Sequence, residues 1–559
     1  MKTRGRRIAS WLRISEKETA AEKGAVLILI AASLTVLLGM AALSVDYGWL
    51  YYNQLNTRKA AEAAALAGVV HMPLPDCAPP EADTDPYKSA IDVAGRNGYT
   101  LASGATVTPL PGGTCARLRV DITRPIDTFF LRVFGYDTLK VTESATAEQL
   151  PPLKLGSDEP YLGEDPTDAG RNRNFFLAIS GADRAKGQGD AVAAQRKNNG
   201  NANPEYKVPS YYYAFEIPEK SPLIGTNVQV QIYDPQAHDE GGQGNLGENG
   251  KTNDWVYPRS GSIDLDGWDS RTVFRVYKPD ASPNYWLDNK ELVTDSVSGV
   301  PCEKTYRGHS AASGKSNAAY EVDDADTWVN VCTIGGAGVG IYVIEVSSDP
   351  GSTPSGTEVG TDMINGFSIR GAVSDSAVMS SAALRVYGLG AMSLWQFDTG
   401  SNPVFKIARV DEVYAGSRLI ISLWDVSDIG STASIEFVGA AKGFDPVGSN
   451  PGSPPIDCKI RIQNDSAKVL QNKDLTGNWV ADSGGDTCYL TFNDGDYNNR
   501  WVQFELQIPA DYKCIGHGDG SSATSPGCWF FVSYTVSDTI TDRTVWAAAI
   551  DGQPIHLVP

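Results

Sequence analysis

An uncharged apolar segment near the N-terminus is the strongest pattern in the chain. Residues 25–45 comprise 21 positions without a charged side chain. At about 1.5 Å per helical residue, this length spans the roughly 30 Å hydrocarbon core of a bilayer. The pattern therefore predicts a transmembrane helix over 25–45, preceded by a leader over 1–24.

Two kinds of proteolytic processing compete with a retained helix. Ala42-Leu43-Ser44 could serve a signal peptidase, although the apolar core of a signal peptide usually has only about 7–15 residues. Gly24 lies between a charged leader and the apolar segment, as a prepilin cleavage site does. Type IV pilins, however, resemble one another in a Glu at the position that Leu29 occupies in this chain. A retained anchor is the favoured interpretation, and cleavage after Gly24 stays open.

The chain has a basic N-terminus and an acidic remainder, and the sign of the net charge changes at residue 24. Residues 1–23 carry seven Lys or Arg against three Glu, a charge of +4; because the total is −20, the remaining residues carry −24. By the positive-inside rule, the basic leader is cytoplasmic and the bulk of the chain lies outside the membrane of a bacterial cell. The acidic balance argues against nucleic acid as a partner.

The residues that follow the apolar segment predict a continuous rod. Tyr47, Trp49, Tyr51 and Tyr52 suit headgroup depth, where an aromatic ring can be half wet and half buried. Residues 53–70 are rich in Ala, the strongest helix former, and contain no helix breaker. The helix is therefore expected to continue through residue 70. Its small side chains allow another helix to approach closely; a solvated stalk without a partner is an equally good interpretation.

The N-terminal sequence resembles a known family. The stretch "GAVLILIAASLTVLLGMAALSVDYGWLYYNQLNTRKAAEAAALAGV" is similar to the N-terminal module of TadE/TadG-like proteins of the Flp (Tad, tight adherence) pilus assembly system. The likeness extends through "AIDVAGRNGYT" and "LRVDITRPIDTFFLRVFGYDTLKVTESATAEQL", and so covers about residues 20–150. It implies a membrane protein whose partners are other Tad/Flp assembly components. Many TadG-like proteins also resemble one another in a von Willebrand factor A domain, but its Asp-x-Ser-x-Ser motif does not occur in this sequence.

Residues 46–150 predict a stalk helix followed by a small α+β cap. The stretches "ARLRVDI" and "LKVTESATAEQ" alternate as strands do. Between them, "PIDTFFLRVFG" predicts a short helix in which Ile126, Phe129, Phe130 and Val133 share a face. Residues 151–170 are rich in Pro, Gly and acidic residues with little periodicity, and predict a linker.

The rest of the chain predicts tandem antiparallel β-sandwich domains over 171–392 and 393–559, which makes the fold class α+β and mainly β. Short period-2 runs alternate with Gly, Pro, Asn and Asp clusters. Four pairs of stretches also correspond in the same order, which favours a duplication. The pairs are "YYYAFEIP" with "NPVFKIARV", "GTNVQVQIYD" with "GSRLIISLWD", "GIYVIEVSSD" with "WFFVSYTVSD", and "MINGFSIRGAV" with "TVWAAAIDGQP".

The cysteines predict disulfides. An even number in a segment expected outside the membrane is typical of cystine cross-links, and no Cys-x-x-Cys spacing supports a zinc or redox site. Free buried thiols are the alternative, and connectivity cannot be derived from the sequence. Taken in sequence order within the proposed domains, the neighbouring pairs are Cys77/Cys115, Cys302/Cys332, Cys458/Cys488 and Cys514/Cys528.

One calcium site is a candidate. Asp494, Asp496, Asn498 and Glu505 fall at positions 1, 3, 5 and 12 of an EF-hand-like loop, although position 6 is Asn499 rather than Gly. The sequence "WVQFELQI" alternates strictly, so a strand that contains Glu505 and a simple turn at "FNDGDYN" are the favoured interpretation. No other cofactor is expected.

The sequence offers no catalytic constellation. It has no G-x-S-x-G elbow and no phosphate loop. The five histidines form no metal motif: His71, His238, His309, His517 and His556. We therefore expect a non-enzymatic, membrane-anchored, extracytoplasmic component of a Tad/Flp pilus assembly or surface adhesion apparatus. The alternative is an anchored surface glycan-binding protein or hydrolase, because β-sandwiches often present exposed aromatic side chains to glycans.

Overall fold

The structure is a computed structural model. It describes residues 19–72, 79–113, 116–150, 152–167, 175–181, 184–195, 201–203, 210–239, 255–256, 271–280, 286–307, 309–310, 327–348, 363–373, 379–380, 382–396, 404–426, 432–438, 441–442, 458–464, 469–474, 489–493, 495–514, 528–536, 543–551 and 555–558.

Two α-helices precede the strands. Helix α1 spans Thr19–Val69, so the expected rod continues without a break from the apolar segment through the alanine-rich segment. Helix α2 spans Asp85–Arg96. Its first turn contains Pro86, whose missing N–H is tolerated there because the first N–H groups of a helix have no partner within it. The long helix and the mainly antiparallel strands confirm the predicted fold class.

The strands are numbered in chain order. Those before residue 350 are β1 Thr106–Pro111, β2 Arg117–Asp127, β3 Thr138–Gln149, β4 Lys154–Leu155, β5 Tyr161–Leu162, β6 Phe175–Ser180, β7 Ser210–Ile217, β8 Val228–Tyr233, β9 His238–Asp239, β10 Trp255–Val256, β11 Arg271–Tyr277, β12 Glu303–Arg307, β13 His309–Ser310, β14 Trp328–Ile334 and β15 Gly340–Ser348. Those after it are β16 Met363–Ala372, β17 Arg385–Leu389, β18 Ala391–Gln396, β19 Val404–Arg409, β20 Arg418–Trp424, β21 Thr432–Val438, β22 Ala441–Lys442, β23 Cys458–Asn464, β24 Val469–Asp474, β25 Tyr489–Asn493, β26 Arg500–Gln507, β27 Lys513–Cys514, β28 Trp529–Val536, β29 Arg543–Ile550 and β30 Ile555–Val558.

The chain divides into two compact units, of which the first comprises residues 1–148 and 555–559. In this unit, β1, β2, β3 and β30 form a four-stranded sheet in that order. The alternation predicted from "ARLRVDI" is realised in β2, where Leu118, Val120 and Ile122 are buried. These side chains join one hydrophobic cluster with the second half of α1 and with α2. The first unit is therefore a small α+β cap built on the end of the long helix.

The segment between β2 and β3 differs from its prediction. Ile126 lies within β2 and is buried, whereas Phe129, Phe130 and Val133 are 53%, 45% and 80% exposed. Only Leu131–Phe134 is helical, as a short 3₁₀-helix. The four predicted residues therefore share no buried face, because strand β2 continues past Pro125 and the chain then turns at the end of this strand.

The second unit, residues 149–554, consists mainly of two large sheets. The larger sheet has the order β14-β8-β16-β6-β18-β29-β20-β26-β23-β24, with β5 and β10 also paired to β16, and the other has the order β12-β11-β15-β7-β17-β4-β19-β28-β21-β25. Aromatic rings from the two sheets meet in one core: Phe274 contacts Phe367 at 5.6 Å between ring centroids, and Phe405 contacts Trp546 at 5.4 Å. The two sheets therefore pack face to face as a sandwich.

The four sequence correspondences occupy equivalent places in this sandwich. In the larger sheet, β14-β8-β16 on one side mirrors β26-β20-β29 on the other, and in the smaller sheet β12-β11-β15-β7 mirrors β25-β21-β28-β19. The backbones also match where β8 and β20 begin and end: Gly225 and Gly416 have φ of 79° and 80°, and Asp234 and Asp425 have φ of 49° and 61°. The described strands on the two sides of β18 thus form two similar arrangements, or halves, that share both sheets, and the domain bounds 171–392 and 393–559 stay predictions.

Residues 151–170, predicted as a linker, contain β4 and β5 and are largely buried in the part that is described. Strand β4 pairs with β17 of the first half and with β19 of the second half. Asp165 accepts a hydrogen bond from the indole of Trp328 at 2.9 Å, and Asp158 accepts one from the indole of Trp529 at 3.0 Å. Because these partners lie in different halves, the segment connects both halves within one core.

Candidate functional site at the membrane junction

The apolar part of α1 is uncovered by the rest of the chain. Its large side chains are exposed from Val26 onward, for example Leu29 at 68% and Leu37 at 62%. Among the described residues, α1 is the helix long and apolar enough to cross a membrane. Since a protein in water seldom leaves so large an apolar surface exposed, this part of α1 is suited to lipid.

The polar side chains within the apolar segment satisfy their own hydrogen bonds. Ser33 donates to the carbonyl of Ile30 at 2.9 Å, and Ser44 donates to that of Met40 at 2.8 Å. Thr35 donates to the carbonyls of residues 31 and 32. These three hydroxyl groups therefore need no hydrogen-bond partner from the hydrocarbon core, which offers none.

A carboxylate marks the end of the apolar segment. Asp46 is 4% exposed and accepts three backbone hydrogen bonds: 2.7 Å from Phe129 N, 2.9 Å from Phe130 N and 2.7 Å from Leu131 N. The three N–H groups open the 3₁₀-helix between β2 and β3, where an anion satisfies donors that have no partner within the helix. Asp46 thus holds residues 129–131 against α1 at the point where the apolar segment of this helix ends.

Exposed aromatic side chains surround this contact. Tyr47, Trp49, Tyr51 and Tyr52 are all exposed, and their place at headgroup depth stays a prediction. Trp49 stacks on Tyr52 at 5.8 Å between ring centroids and meets the ring of Phe129 edge-on at 5.7 Å. The aromatic residues of α1 and those of the β2–β3 segment therefore form one surface, which we call the junction surface (residues 47–52 and 129–136).

The alanine-rich half of α1 is covered by the chain itself. Gly68 lies so close to α2 that an added Cβ would be 2.6 Å from Pro86 O and 3.1 Å from Ala90 Cβ. The predicted close approach of a second helix is thus made by α2 within the same chain. The side chains buried between α1, α2 and β2 are Ala60, Ala61, Ala64, Ala65, Val69, Ala90, Ala94, Leu118, Val120 and Ile122.

The calcium candidates are distributed over a turn and a strand. Glu505 lies in β26, is 4% exposed and has its Oε2 3.6 Å from Arg418 Nη1. Asp496 lies in the preceding turn, where its carboxylate accepts a hydrogen bond from Asn493 N at 2.8 Å. Asn498 lies in the same turn, and Asp494 is outside the described residues. The arrangement is the turn before a strand that the sequence favoured, and calcium binding stays a prediction.

One predicted disulfide is present in full. Cys302 and Cys332 are bonded to each other, with their Cα atoms 5.3 Å apart. Cys528 is disulfide-bonded as well, and Cys514 ends the short strand β27. Cys458 begins β23. The pairings of Cys458/Cys488 and Cys514/Cys528 stay predictions, as does Cys77/Cys115, since Cys77, Cys115 and Cys488 lie outside the described residues.

Asp295 lies beside this disulfide, within 4.8 Å of both sulfur atoms. Because the two sulfurs are bonded to each other, they are not thiolates and supply no metal site. Burial opposes ionisation of Asp295, but N–H groups of Ser298, Thr333 and Val297 donate to its carboxylate and hold its pKa below the ordinary value. Asp295 thus joins the turn after it to strand β14.

The five histidines are spread along the chain. His556 lies 3.6 Å from a carboxylate oxygen of Glu148, where β3 and β30 are neighbours. His238 and His309 are paired through the backbone of the parallel strands β9 and β13. His71 follows the end of α1, and His517 is outside the described residues.

The sequence analysis missed the contact of Asp46 with residues 129–131 and the part that this segment takes in the junction surface. Asp46 was given no role, and Phe129 and Phe130 were placed on one face of a short helix. A usable signal was present: an Asp directly after a transmembrane segment, and a second aromatic cluster, "FFLRVFGY", in the same predicted cap. The sequence alone does not pair the two, because 83 positions separate Asp46 from Phe129.

Comparison with known proteins identifies the N-terminal module. Residues 24–71 match the model of the Tad family, described as Flp pilus-assembly TadE/G-like. The match covers the apolar part of α1, Asp46 and the buried alanine face, and it confirms the resemblance of the N-terminal module. No curated protein matches the chain.

Proposed function

We propose that this chain is a non-enzymatic, single-pass component of a Tad/Flp pilus assembly or adhesion apparatus, with a cytoplasmic N-terminus and its β-rich bulk outside the membrane. The observation that carries the proposal is the coincidence, in α1, of an uncovered apolar segment with the Tad family match. Other Tad/Flp components are its proposed partners, and the membrane is its site.

The orientation is supported by two independent properties. The leader over 1–23 is basic, which favours its retention in the cytoplasm. The Cys302–Cys332 disulfide lies in the bulk of the chain, and disulfides persist mainly in oxidising, extracytoplasmic compartments. A chain with the opposite orientation would place this disulfide in the reducing cytoplasm.

Orientation is tested by fusing alkaline phosphatase, which is active only outside the cytoplasm, after residue 559 or in front of residue 1. We expect activity from the C-terminal fusion and none from the N-terminal fusion, in cells where both chains accumulate equally. The reverse pattern would refute the proposed topology.

Participation in pilus assembly is tested by deleting 25–70 from the chain in its native host. The expected result is loss of surface pili, together with loss of Tad components from a pull-down that recovers them with the full chain. A matched deletion of 489–514, within the second unit, shows whether the N-terminal module has a specific role. Normal piliation without residues 25–70 would contradict the proposal.

The glycan-binding alternative gains no support from the exposed surface. The large hydrophobic side chains exposed in the described part of the second unit are aliphatic, including Ile224, Leu287, Val297 and Val300. Among its tryptophans, Trp424, Trp529 and Trp546 are at 2% exposure or less. A glycan array probed with the detergent-solubilised full chain would still reveal this activity.

A further inference from the structure

The exposed aromatic side chains of the described residues are concentrated in two segments of the first unit. In the described part of the chain, every exposed Phe, Tyr or Trp lies in residues 47–52 or 129–136. Those of the second segment are Phe129, Phe130, Phe134 and Tyr136, exposed by 53%, 45%, 74% and 59%. Such a concentration marks a contact with an apolar or interfacial medium rather than with bulk water.

The position of the second segment is fixed relative to the membrane helix. Asp46, the residue directly after the apolar segment, accepts the three hydrogen bonds from residues 129–131 that were described above. Leu131 also lines a groove with Leu43, Ser44 and Leu50 of α1. Because Leu43 and Ser44 belong to the last turn of the apolar segment, the 3₁₀-helix lies at the level where α1 leaves the hydrocarbon core.

The chemistry of the segment suits lipid at that level. Val133 is 80% exposed and Phe134 is 74% exposed, so both side chains are uncovered by protein. Arg132, which directly precedes them in the sequence, is exposed as a cation that can meet lipid phosphates, and Lys140 on β3 is exposed as well. Apolar side chains with basic neighbours are typical of segments that lie about 5–10 Å deep at the boundary between headgroups and acyl chains.

We infer that residues 129–136 form a second membrane contact, which inserts Phe129, Phe130, Val133 and Phe134 into the interface of the bilayer that α1 spans. This inference rests on the proposed membrane anchoring by α1. The occupant of the surface is lipid, and Asp46 is the positioning residue that holds the segment at interfacial depth. The first unit is thereby attached to the bilayer at two points rather than suspended from one helix.

The test uses the full chain reconstituted in vesicles of equal amounts of phosphatidylcholine and phosphatidylglycerol. Single cysteines carry an environment-sensitive fluorophore, and two quenching lipids are used, one with a nitroxide near the headgroup end of its acyl chain and one with a nitroxide near the bilayer midplane, where Leu37 is expected. The variants are Val133→Cys in the segment, Leu37→Cys within the membrane helix and Arg119→Cys on β2. All three positions are exposed, and labelling without reductant leaves the native disulfides intact.

Probes at Leu37 and Val133 are expected to be quenched and blue-shifted, whereas the probe at Arg119 stays unquenched. Quenching at Leu37 with an unquenched Val133 overturns the second contact and leaves the anchor standing. An unquenched Leu37 overturns the anchor itself, and quenching at all three positions overturns a contact specific to residues 129–136.

A second variant tests the positioning role of Asp46. Asp46→Asn replaces one acceptor oxygen by a donor group, so the side chain no longer receives all three N–H groups. In this background the probe at Val133 is expected to lose quenching, while the probe at Leu37 keeps it. Unchanged quenching at Val133 would overturn the role of Asp46 in holding the segment at its depth.

Discussion

The contact between α1 and α2 predicts opposite effects for the same substitution at two glycines. Gly68 and Gly95 are each the residue before the last in their helix. A Cβ at Gly68 would lie 2.3 Å from Leu118 Cδ2 and 2.6 Å from Pro86 O, whereas a Cβ at Gly95 meets only Thr100 Cγ2, at 3.7 Å. The side chain of Leu118 can rotate away, but the backbone oxygen of Pro86 can yield only if the two helices separate.

The magnitudes follow from two opposing terms. Replacement of Gly by Ala in a helix stabilises by about 1 kcal/mol, and overpacking of a tight contact costs about 1–3 kcal/mol. Gly95→Ala therefore stabilises the first unit by up to about 1 kcal/mol, because only the helix term applies. Gly68→Ala carries both terms, so we expect it to be less stable than Gly95→Ala by about 1–3 kcal/mol.

The assay is hydrogen exchange of the full chain in lipid nanodiscs, followed in peptides that cover 60–69 and 86–96. The free energy of opening is compared between each variant and the wild type, so that the second unit does not contribute. Faster exchange in Gly68→Ala and slower or equal exchange in Gly95→Ala is the expected result. Equal protection in the two variants would refute the close contact between α1 and α2.

Three further predictions concern other contacts. Replacing Cys302 and Cys332 by Ser should destabilise their half of the sandwich by at most about 3.6 kcal/mol in urea unfolding, since the disulfide spans 30 positions; no change would contradict its structural role. The carboxylate of Asp295, with its pKa lowered, stabilises above its ordinary value of 3.8, and this contribution should disappear as pH falls through the lowered pKa; Asp295→Asn should lose the pH dependence of the protection factor of the Thr333 amide, which compares its exchange rate with the intrinsic rate at the same pH. Ile555→Ala should destabilise the first unit by about 1–2 kcal/mol, because this side chain packs only in part on the cluster under β2; limited proteolysis of that unit measures the effect.

Local signals were sufficient for the elements at the N-terminus. The uncharged segment and the alanines that follow it predicted one long helix, and α1 spans Thr19–Val69. The alternation of Leu118, Val120 and Ile122 predicted a half-buried strand, as found in β2. Each of these patterns depends on residues close in sequence, which is why the sequence was enough.

The candidate site could be predicted only in part, because its contacts join distant residues. The aromatic residues of α1 were placed at headgroup depth from their position after the apolar segment. The exposure of Phe129 and Phe130 follows from the hydrogen bonds of their N–H groups to Asp46, which no local periodicity encodes. A period-3.6 pattern of apolar residues predicted one helix face there, and periodicity does not tell a face that packs on protein from one that lies against lipid.

The segment 151–170 shows the same limit in the second unit. Its Pro, Gly and acidic residues are typical of a linker, yet Asp158 and Asp165 are buried. Each carboxylate lies near basic side chains from distant strands: Lys406 Nζ is 3.1 Å from Asp158, and Arg370 Nη1 is 3.3 Å from Asp165. Composition alone cannot reveal that such charges have partners inside the fold.

Strand β30 makes the sheet of the first unit depend on the last residues of the chain. The sheet of the first unit begins with β1 to β3, but its fourth member is made only after the whole sandwich has been synthesised. During synthesis, the edge of β3 therefore waits unpaired until residues 555–558 have been made, and an unpaired edge invites pairing with other chains. A chain that is cut short in the sandwich would keep α1 intact but leave this edge open, and is therefore expected to aggregate more readily than the full chain.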